Sequence, residues 1–275
     1  MTAKEFAALA MPLLSQRFSQ RESSQMIAIL LEDICGITSL ESTKKIEDQI
    51  RMENAVEELL DHKPLQYITG VADFYGLKYQ VNEHVLIPRP ETEELVRWVL
   101  EDHSDRKKLM DVLDIGTGSG CIALTLAKKH RYMRLTAAEI SKDALNIARI
   151  NSRKLSVQLS FALMDITDEG YWDALGIYDI IVSNPPYIRP DDRDMMGKSV
   201  LDYEPDLALY AGDDPLVFYR VIEAFSQKHL SEQGAIYLEV HEDLAEEVAA
   251  LFVGADVTIQ KDMQGKDRMV RAQYQ

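Results

Sequence analysis

Apolar positions recur at helical spacing over residues 1 to about 70, and beyond them the texture turns to short strand-like runs. Phe6, Leu9, Ala10, Leu13 and Leu14 fall on one stripe of a first helix. A second helix runs from Gln25 to Cys35 and stops at Gly36, and a third gathers Met52, Ala55, Val56, Leu59 and Leu60 ahead of Pro64. The pattern predicts a small all-α bundle over residues 1–72. Between Phe74 and Ile87, aromatic and β-branched residues flank Asn82 and Glu83, which reads as a linking β-hairpin over 73–88. Pro90 then sits where a first helical turn accepts it, and ETEELVRWVL continues as an amphipathic helix.

From Leu109 onward strand-like and helical runs alternate: LMDVLDI, CIALTLAKKH, RLTAAEI, KDALNIARINSRK, VQLSFALM, YDIIVSN, PLVFYRVIEAFSQKHL, AIYLEV, EDLAEEVAALF, DVTIQ and RMVRAQ. Such alternation predicts parallel strands joined by helical crossovers, an α/β doubly wound sheet of seven strands occupying residues 89–275.

Composition narrows the classes. With 275 residues, 46% hydrophobic and 28% charged, the chain has the balance of a globular protein of one large or two modest domains. The net charge of −16, from 46 acidic against 30 basic residues, disfavours a phosphate backbone as partner, so nucleic acid is not the expected substrate. Two separated cysteines, Cys35 and Cys121, suggest neither a disulfide framework nor a thiolate metal site, and fit a cytoplasmic protein without metal. No stretch has the apolar length of a membrane span or the pattern of a signal peptide, so an unprocessed, soluble chain is expected.

The most informative stretch is VLDIGTGSGCIAL, residues 112 to 124, where a strand runs into Gly116, Gly118 and Gly120 and then directly into a helix. Alternating glycines let the backbone turn sharply and approach a ligand, and leave amides at a helix start, which suits a nucleoside-containing cofactor. A dinucleotide GxGxxG would need glycine where Cys121 stands, and no GK[ST] follows for a phosphate loop. Asp114 at the strand end is placed to accept from a cationic amino group, which S-adenosylmethionine carries. Glu139, ending the second strand, is placed to accept from ribose hydroxyls. Asp165 could take an adenine amino group or cap a helix, and Ile166 could cover the ring face.

The fourth strand ends in Asn184, Pro185, Pro186 and Tyr187. Two prolines hold the nearby carbonyls rigid, without amide donors of their own. An amide or exocyclic amino nitrogen is a poor nucleophile because its lone pair is delocalised. The Asn184 side-chain oxygen and the Pro185 carbonyl, accepting both N–H groups, would favour the rehybridised nitrogen on which positive charge develops. Tyr187 could stack on the flat group and align it. These residues suggest methyl transfer from S-adenosylmethionine to a planar nitrogen, with an adenine amino group in nucleic acid as the alternative acceptor.

Taken with these motifs, the chain resembles the release factor glutamine methyltransferases over nearly its whole length. The shared strings are HKPLQYITG (62–70), DFYGL (73–77), VLIPRPETEELV (85–96), VLDIGTGSGCIAL (112–124), SNPPYI (183–188), YEPDLAL (203–209) and GKDRMV (265–270). The resemblance implies S-adenosylmethionine as cofactor, S-adenosylhomocysteine as product, and the Gly-Gly-Gln glutamine of bacterial peptide chain release factors as acceptor. It also implies an N-terminal helical domain that helps hold the release factor. Gly116, Thr117, Gly118, Ser119, Gly120 and Glu139 match the family's cofactor positions, with Asn184 beside them, and Asn184 to Tyr187 match its glutamine site. Arg89, Pro90 and Glu91 match a stretch expected to wall the active site. Two departures stand out: Ile166 where members often carry an aromatic residue, and Asp214-Pro215-Leu216 where many have Asp-Gly-Leu. A monomer is the expected assembly.

Overall fold

A computed structural model describes residues 1–105 and 107–274. The chain forms two compact units, one of Met1–Val71 with Met196–Tyr203, the other of Ala72–Met195 with Glu204–Gln275.

The first unit is helical: α1 (Ala3–Leu14), α2 (Gln20–Cys35), α3 (Gln49–Leu60) and α4 (Leu65–Thr69). Its boundaries follow from local chemistry. Thr2 with Glu5 and Ser19 with Glu22 form reciprocal capping boxes, and α2 ends on Gly36 in the left-handed region (φ 65°). The core holds Phe6, Ala10, Leu14, Ile27, Leu30, Leu31, Met52 and Leu59. Leu9 and Leu13 of the expected first-helix stripe are instead 60% and 45% exposed, because the buried face follows the 6, 10, 14 row alone. A segment that the sequence assigns to the later domain, Met196–Tyr203, packs here, with the Tyr203 hydroxyl donating to the Asp61 carbonyl (3.0 Å).

The second unit begins with a hairpin of β1 (Val71–Phe74) and β2 (Leu77–Gln80). Its turn is Tyr75–Gly76, both at positive φ (52° and 73°), the pairing that matches strand twist. The expected turn at Asn82–Glu83 is therefore displaced: residues 82–88 form no strand, and the Asn82 side chain instead accepts from the His84 amide.

The remaining elements are α5 (Pro90–Asp102), β3 (Met110–Ile115), α6 (Cys121–Lys129), β4 (Met133–Glu139), α7 (Lys142–Leu155), β5 (Ser160–Leu163) and β6 (Tyr178–Ser183). They continue with α8 (Lys198–Tyr203, in the first unit), α9 (Asp206–Leu209), α10 (Val217–His229), β7 (Leu230–Glu239), α11 (Ala245–Ala249), β8 (Asp256–Lys261) and β9 (Asp267–Gln273). The seven strands lie in the order β5-β4-β3-β6-β7-β9-β8. Six run in one direction, and β9 alone runs against them, antiparallel between β7 and β8, a reversal that periodicity does not reveal.

Strand alternation splits the core across the sheet. Met110 and Val112 pack with Leu95, Trp98, Val99, Leu124 and the hairpin's Phe74 and Tyr79 on one face. Leu113 and Ile115 pack with Met164, Trp172, Tyr219, Ile222 and Phe225 on the other. Both faces being covered, the central strands read as nearly unbroken apolar runs.

Candidate active site

From β3 the chain adds β4 and β5 on one side, then crosses to place β6 on the other, so a crevice opens at the carboxyl ends of β3 and β6. A cavity of about 300 Å³ lies there. Gly116, Gly118, Glu139, Asp165, Ile166, Asn184, Pro185 and Pro186 line it, joined by Ile140, Met164, Phe218, Ile222 and the His84–Leu86 segment.

Gly116, Gly118 and Gly120 all have positive φ (72°, 54° and 81°). A Cβ on Gly116 or Gly118 would meet no protein atom within 4 Å, so these two keep the backbone open toward the cavity. Gly120 serves another purpose: a Cβ there would come 2.9 Å from Leu124 Cδ1 and 3.2 Å from Ala148 Cβ, so its absence lets α6 and α7 pack. Asn151 of α7, fully buried, donates to the Ser119 carbonyl (2.9 Å) and holds the Gln80 backbone through its amide nitrogen and oxygen.

Asp114 engages its neighbours through one carboxylate oxygen only, and Oδ1 has no hydrogen-bond partner among the described residues. Its side chain is fully buried on the α6 side of β3, and Oδ2 accepts from the Thr117 hydroxyl (2.6 Å) and the Ala123 amide (3.2 Å). It ties the glycine turn to the first turn of α6 rather than lining the cavity, and burial pushes its carboxyl up to about 7. Thr117, Ser119 and Gly120 also stand behind the cavity wall, their side chains or Cα positions packed inward.

Glu139 does reach the cavity. Oε2 accepts from the Gly118 amide and Oε1 from the Ser141 amide, both at 2.9 Å. Burial raises its pKa, and the amides of Ser141, Gly118 and Ile140 oppose that rise. Each oxygen keeps a further acceptor site for a ligand hydroxyl. Asp165 accepts from both the amide and hydroxyl of Thr167 through Oδ1 (2.8 and 2.7 Å), an Asx turn at the rim, and Asp168 takes the helix-capping place. Ile166 is nearly buried against the β3 face, while Phe218 of α10 supplies an aromatic ring to the same cavity.

At the end of β6, the Ser183 hydroxyl donates to the Ile115 carbonyl (2.7 Å), locking the two strand ends together. Asn184 Nδ2 donates to Thr92 Oγ1 (3.2 Å), and that hydroxyl donates to Glu239 Oε2 (2.6 Å). Tyr187 packs tilted against His241 with ring centroids 5.9 Å apart, and lies off the cavity lining. Burial, and next the Glu239 carboxylate, push its hydroxyl up to about 12. Of the expected wall, Pro90 starts α5 at its first turn, Arg89 pairs with the buried Glu204, and Glu91 accepts from Gln264 (3.2 Å).

Comparison with known proteins places this geometry. A family model described as methyltransferase small domain matches residues 95–202. A curated release factor glutamine methyltransferase of Flavobacterium psychrophilum is 36% identical over 286 residues, covering 100% of both chains. The chain belongs to the release factor glutamine methyltransferase family. The family member of Streptococcus pneumoniae is 44% identical over 228 residues, 82% of this chain and 80% of its own. A solved methyltransferase of Pyrococcus furiosus, 19% identical, superimposes with a TM-score of 0.52 over 80% of this chain and 98% of that one, a likeness of fold.

Residue type alone does not single out Thr92 and Glu239, which are hydrogen-bonded in a chain from Asn184, nor Glu204, which holds Arg89, nor Arg268. Thr92, Glu204 and Arg268 lie inside the strings shared with the release factor glutamine methyltransferases, IPRPETE, YEPDLAL and GKDRMV. Glu239 carries a different signal: it is an acid ending the strand next to β6, at the crevice. Arg268 is held by Asp262 (3.4 Å), Glu242 (3.5 Å) and the Val240 carbonyl (3.4 Å), close enough to Glu239 and Tyr187 to bias their charge.

Proposed function

We propose that this chain methylates the side-chain amide nitrogen, N5, of the glutamine in the Gly-Gly-Gln motif of peptide chain release factors, using S-adenosylmethionine. The observation that carries the reading is that Asn184, Pro185 and the open glycines Gly116 and Gly118 share one cavity. The protein acts as a cytoplasmic monomer on a protein rather than on nucleic acid. Residues 1–72 help hold the release factor, 73–88 link, and 89–275 carry the chemistry.

The residues present fit the cofactor. Gly116 and Gly118 leave room for close backbone approach, Glu139 offers acceptor sites to ribose hydroxyls, and Ile140, Met164, Ile166, Phe218 and Ile222 give an apolar slot for a flat base. Asp165 sits at the slot's rim for the adenine amino group. Asp114, Thr117, Ser119 and Gly120 serve from behind by fixing the turn's shape. When bound, S-adenosylmethionine supplies a methyl carbon on a sulfonium, whose C–S bond breaks to leave neutral S-adenosylhomocysteine.

The chain's own residues then have one task, to make a delocalised nitrogen act as a nucleophile. Asn184 Oδ1 and the Pro185 carbonyl accept the two glutamine N–H groups and favour the pyramidal, charge-developing nitrogen over the flat one. Pro185 and Pro186 keep that carbonyl from moving, and the Tyr187 ring, braced by His241, bounds the glutamine with Arg89, Pro90 and Glu91 on the far wall. No strong base is required, since the nitrogen becomes acidic once methylated and its proton passes to solvent. Mass spectrometry of release factor after incubation with the protein and S-adenosylmethionine tests this. The expected product carries one added methyl on the Gly-Gly-Gln glutamine, and label found only on nucleic acid would refute the assignment.

A further inference from the structure

Asn184 can serve as an acceptor only if its amide faces the right way, and the structure shows what turns it. In the hydrogen-bonded chain Asn184–Thr92–Glu239, Thr92 lies 92 residues from Asn184 and 147 from Glu239, and Thr92 and Glu239 are only 3% and 2% exposed. A hydroxyl has a single proton, and an ionised carboxylate can only accept. The Thr92 proton is therefore committed to Glu239 at 2.6 Å, and what Thr92 presents to Asn184 is a lone pair. Only the NH₂ end of the Asn184 amide fits against it, at 3.2 Å. The carbonyl end is left for the glutamine site.

We infer that Thr92 and Glu239 are positioning residues that fix the direction of the Asn184 amide, so that the ionised Glu239 carboxylate keeps Asn184 Oδ1 available to accept. The inference rests on the methyl-transfer reading above and adds its control element. A proton taken from solvent by Glu239 reverses the chain. The carboxylic acid then donates to Thr92 Oγ1, the Thr92 proton turns to Asn184, and the amide is favoured with Oδ1 inward and NH₂ toward the glutamine. Two donors would then face two donors, and the site would keep only the Pro185 carbonyl as acceptor.

Several groups face Glu239 and bias that equilibrium. They are Thr92, Glu91 and Arg89 at the start of α5, Arg268 of β9, Tyr187 after β6, Cys121 of α6, and Tyr219 of α10, whose hydroxyl donates to the Glu239 carbonyl (3.1 Å). Arg268 and Arg89 favour the ionised form and Glu91 opposes it. Burial outweighs them, pushing the carboxyl up to about 7. The switch thus operates within the range in which an enzyme can be assayed.

The test is steady-state methyl transfer to purified release factor as a function of pH, with S-adenosylhomocysteine affinity measured by calorimetry on the same preparations. Wild-type turnover on release factor checks the substrate reading on its own, and its absence would refute that reading rather than the relay. With that turnover in hand, Thr92→Val, nearly isosteric but without the hydroxyl, is expected to lower kcat roughly 10-fold or more while S-adenosylhomocysteine affinity stays within about twofold. Thr92→Ser restores kcat to within about threefold of wild type, because only the hydroxyl matters. Wild-type kcat falls on the acid side of about pH 7 and Glu239→Gln flattens that limb, since its amide has no proton to gain. The relay is overturned if Thr92→Val keeps wild-type kcat, if Thr92→Ser is as impaired as Thr92→Val, or if Glu239→Gln retains the acid limb. Should Thr92→Val fail to fold, Thr92→Ser and Glu239→Gln still decide the matter.

Discussion

The two halves of the crevice are built differently. On the glycine side, five consecutive residues, Gly116–Gly120, do the work with main chain. The positive φ angles of Gly116, Gly118 and Gly120 set the turn, the Gly118 amide meets Glu139, and the side chains of Thr117 and Ser119 turn inward. On the Asn184 side the backbone supplies only a rigid proline step, and the functional amide takes its direction from Thr92 and Glu239, far away along the chain. A site made of backbone is written in one short stretch of sequence, whereas a site made of side-chain contacts is scattered over it. The first half should therefore answer to conformation and the second to individual polar atoms.

The sharpest way to break that contrast is Asn184→Ala. Loss of one charge-stabilising acceptor is expected to lower kcat by about 10²-fold or more, with S-adenosylhomocysteine affinity within about threefold of wild type, read by turnover and calorimetry. Next in size is Glu139→Ala, which removes the side chain that the proposed function assigns to the ribose hydroxyls. Losing two hydrogen bonds to a charged acceptor, it should weaken S-adenosylhomocysteine binding by roughly 10- to 100-fold. A paired comparison at the turn comes last. Gly120→Ala must hold an L-residue at φ 81° with its Cβ against Leu124 and Ala148, and should cost about 1–3 kcal/mol in chemical unfolding. Ser119→Ala leaves the main chain unchanged and should stay within about 0.5–1 kcal/mol of wild type. Equal effects from the two would show that the turn is not conformational in origin.

That contrast also explains what could be read in advance. The strands β3, β4 and β6, the glycine turn and Glu139 were legible because periodicity and spacing are local quantities. Tyr75–Gly76 escaped as a hairpin turn because an aromatic residue in the left-handed region is unusual, whereas Asn82–Glu83 looks like turn chemistry. The direction of β9 depends on tertiary pairing, which no strand pattern encodes. Asp114 lies on the same strand face as Val112, with one oxygen on the Thr117 hydroxyl and the Ala123 amide, so residue type alone does not reveal that it also holds the turn. Ile166 stands where members of the family often carry an aromatic residue, and an aromatic ring reaches the same cavity from Phe218 of α10.

The central claim is geometric, and a structure of the protein with S-adenosylhomocysteine and a glutamine-containing release factor peptide measures it directly. The account expects the glutamine carboxamide nitrogen about 2.9 Å from Asn184 Oδ1, with Asn184 Nδ2 still on Thr92 and the cofactor's sulfur beyond the nitrogen on its other side. A peptide bound with its carboxamide turned away from Asn184, or an Asn184 side chain released from Thr92 in the complex, would contradict it.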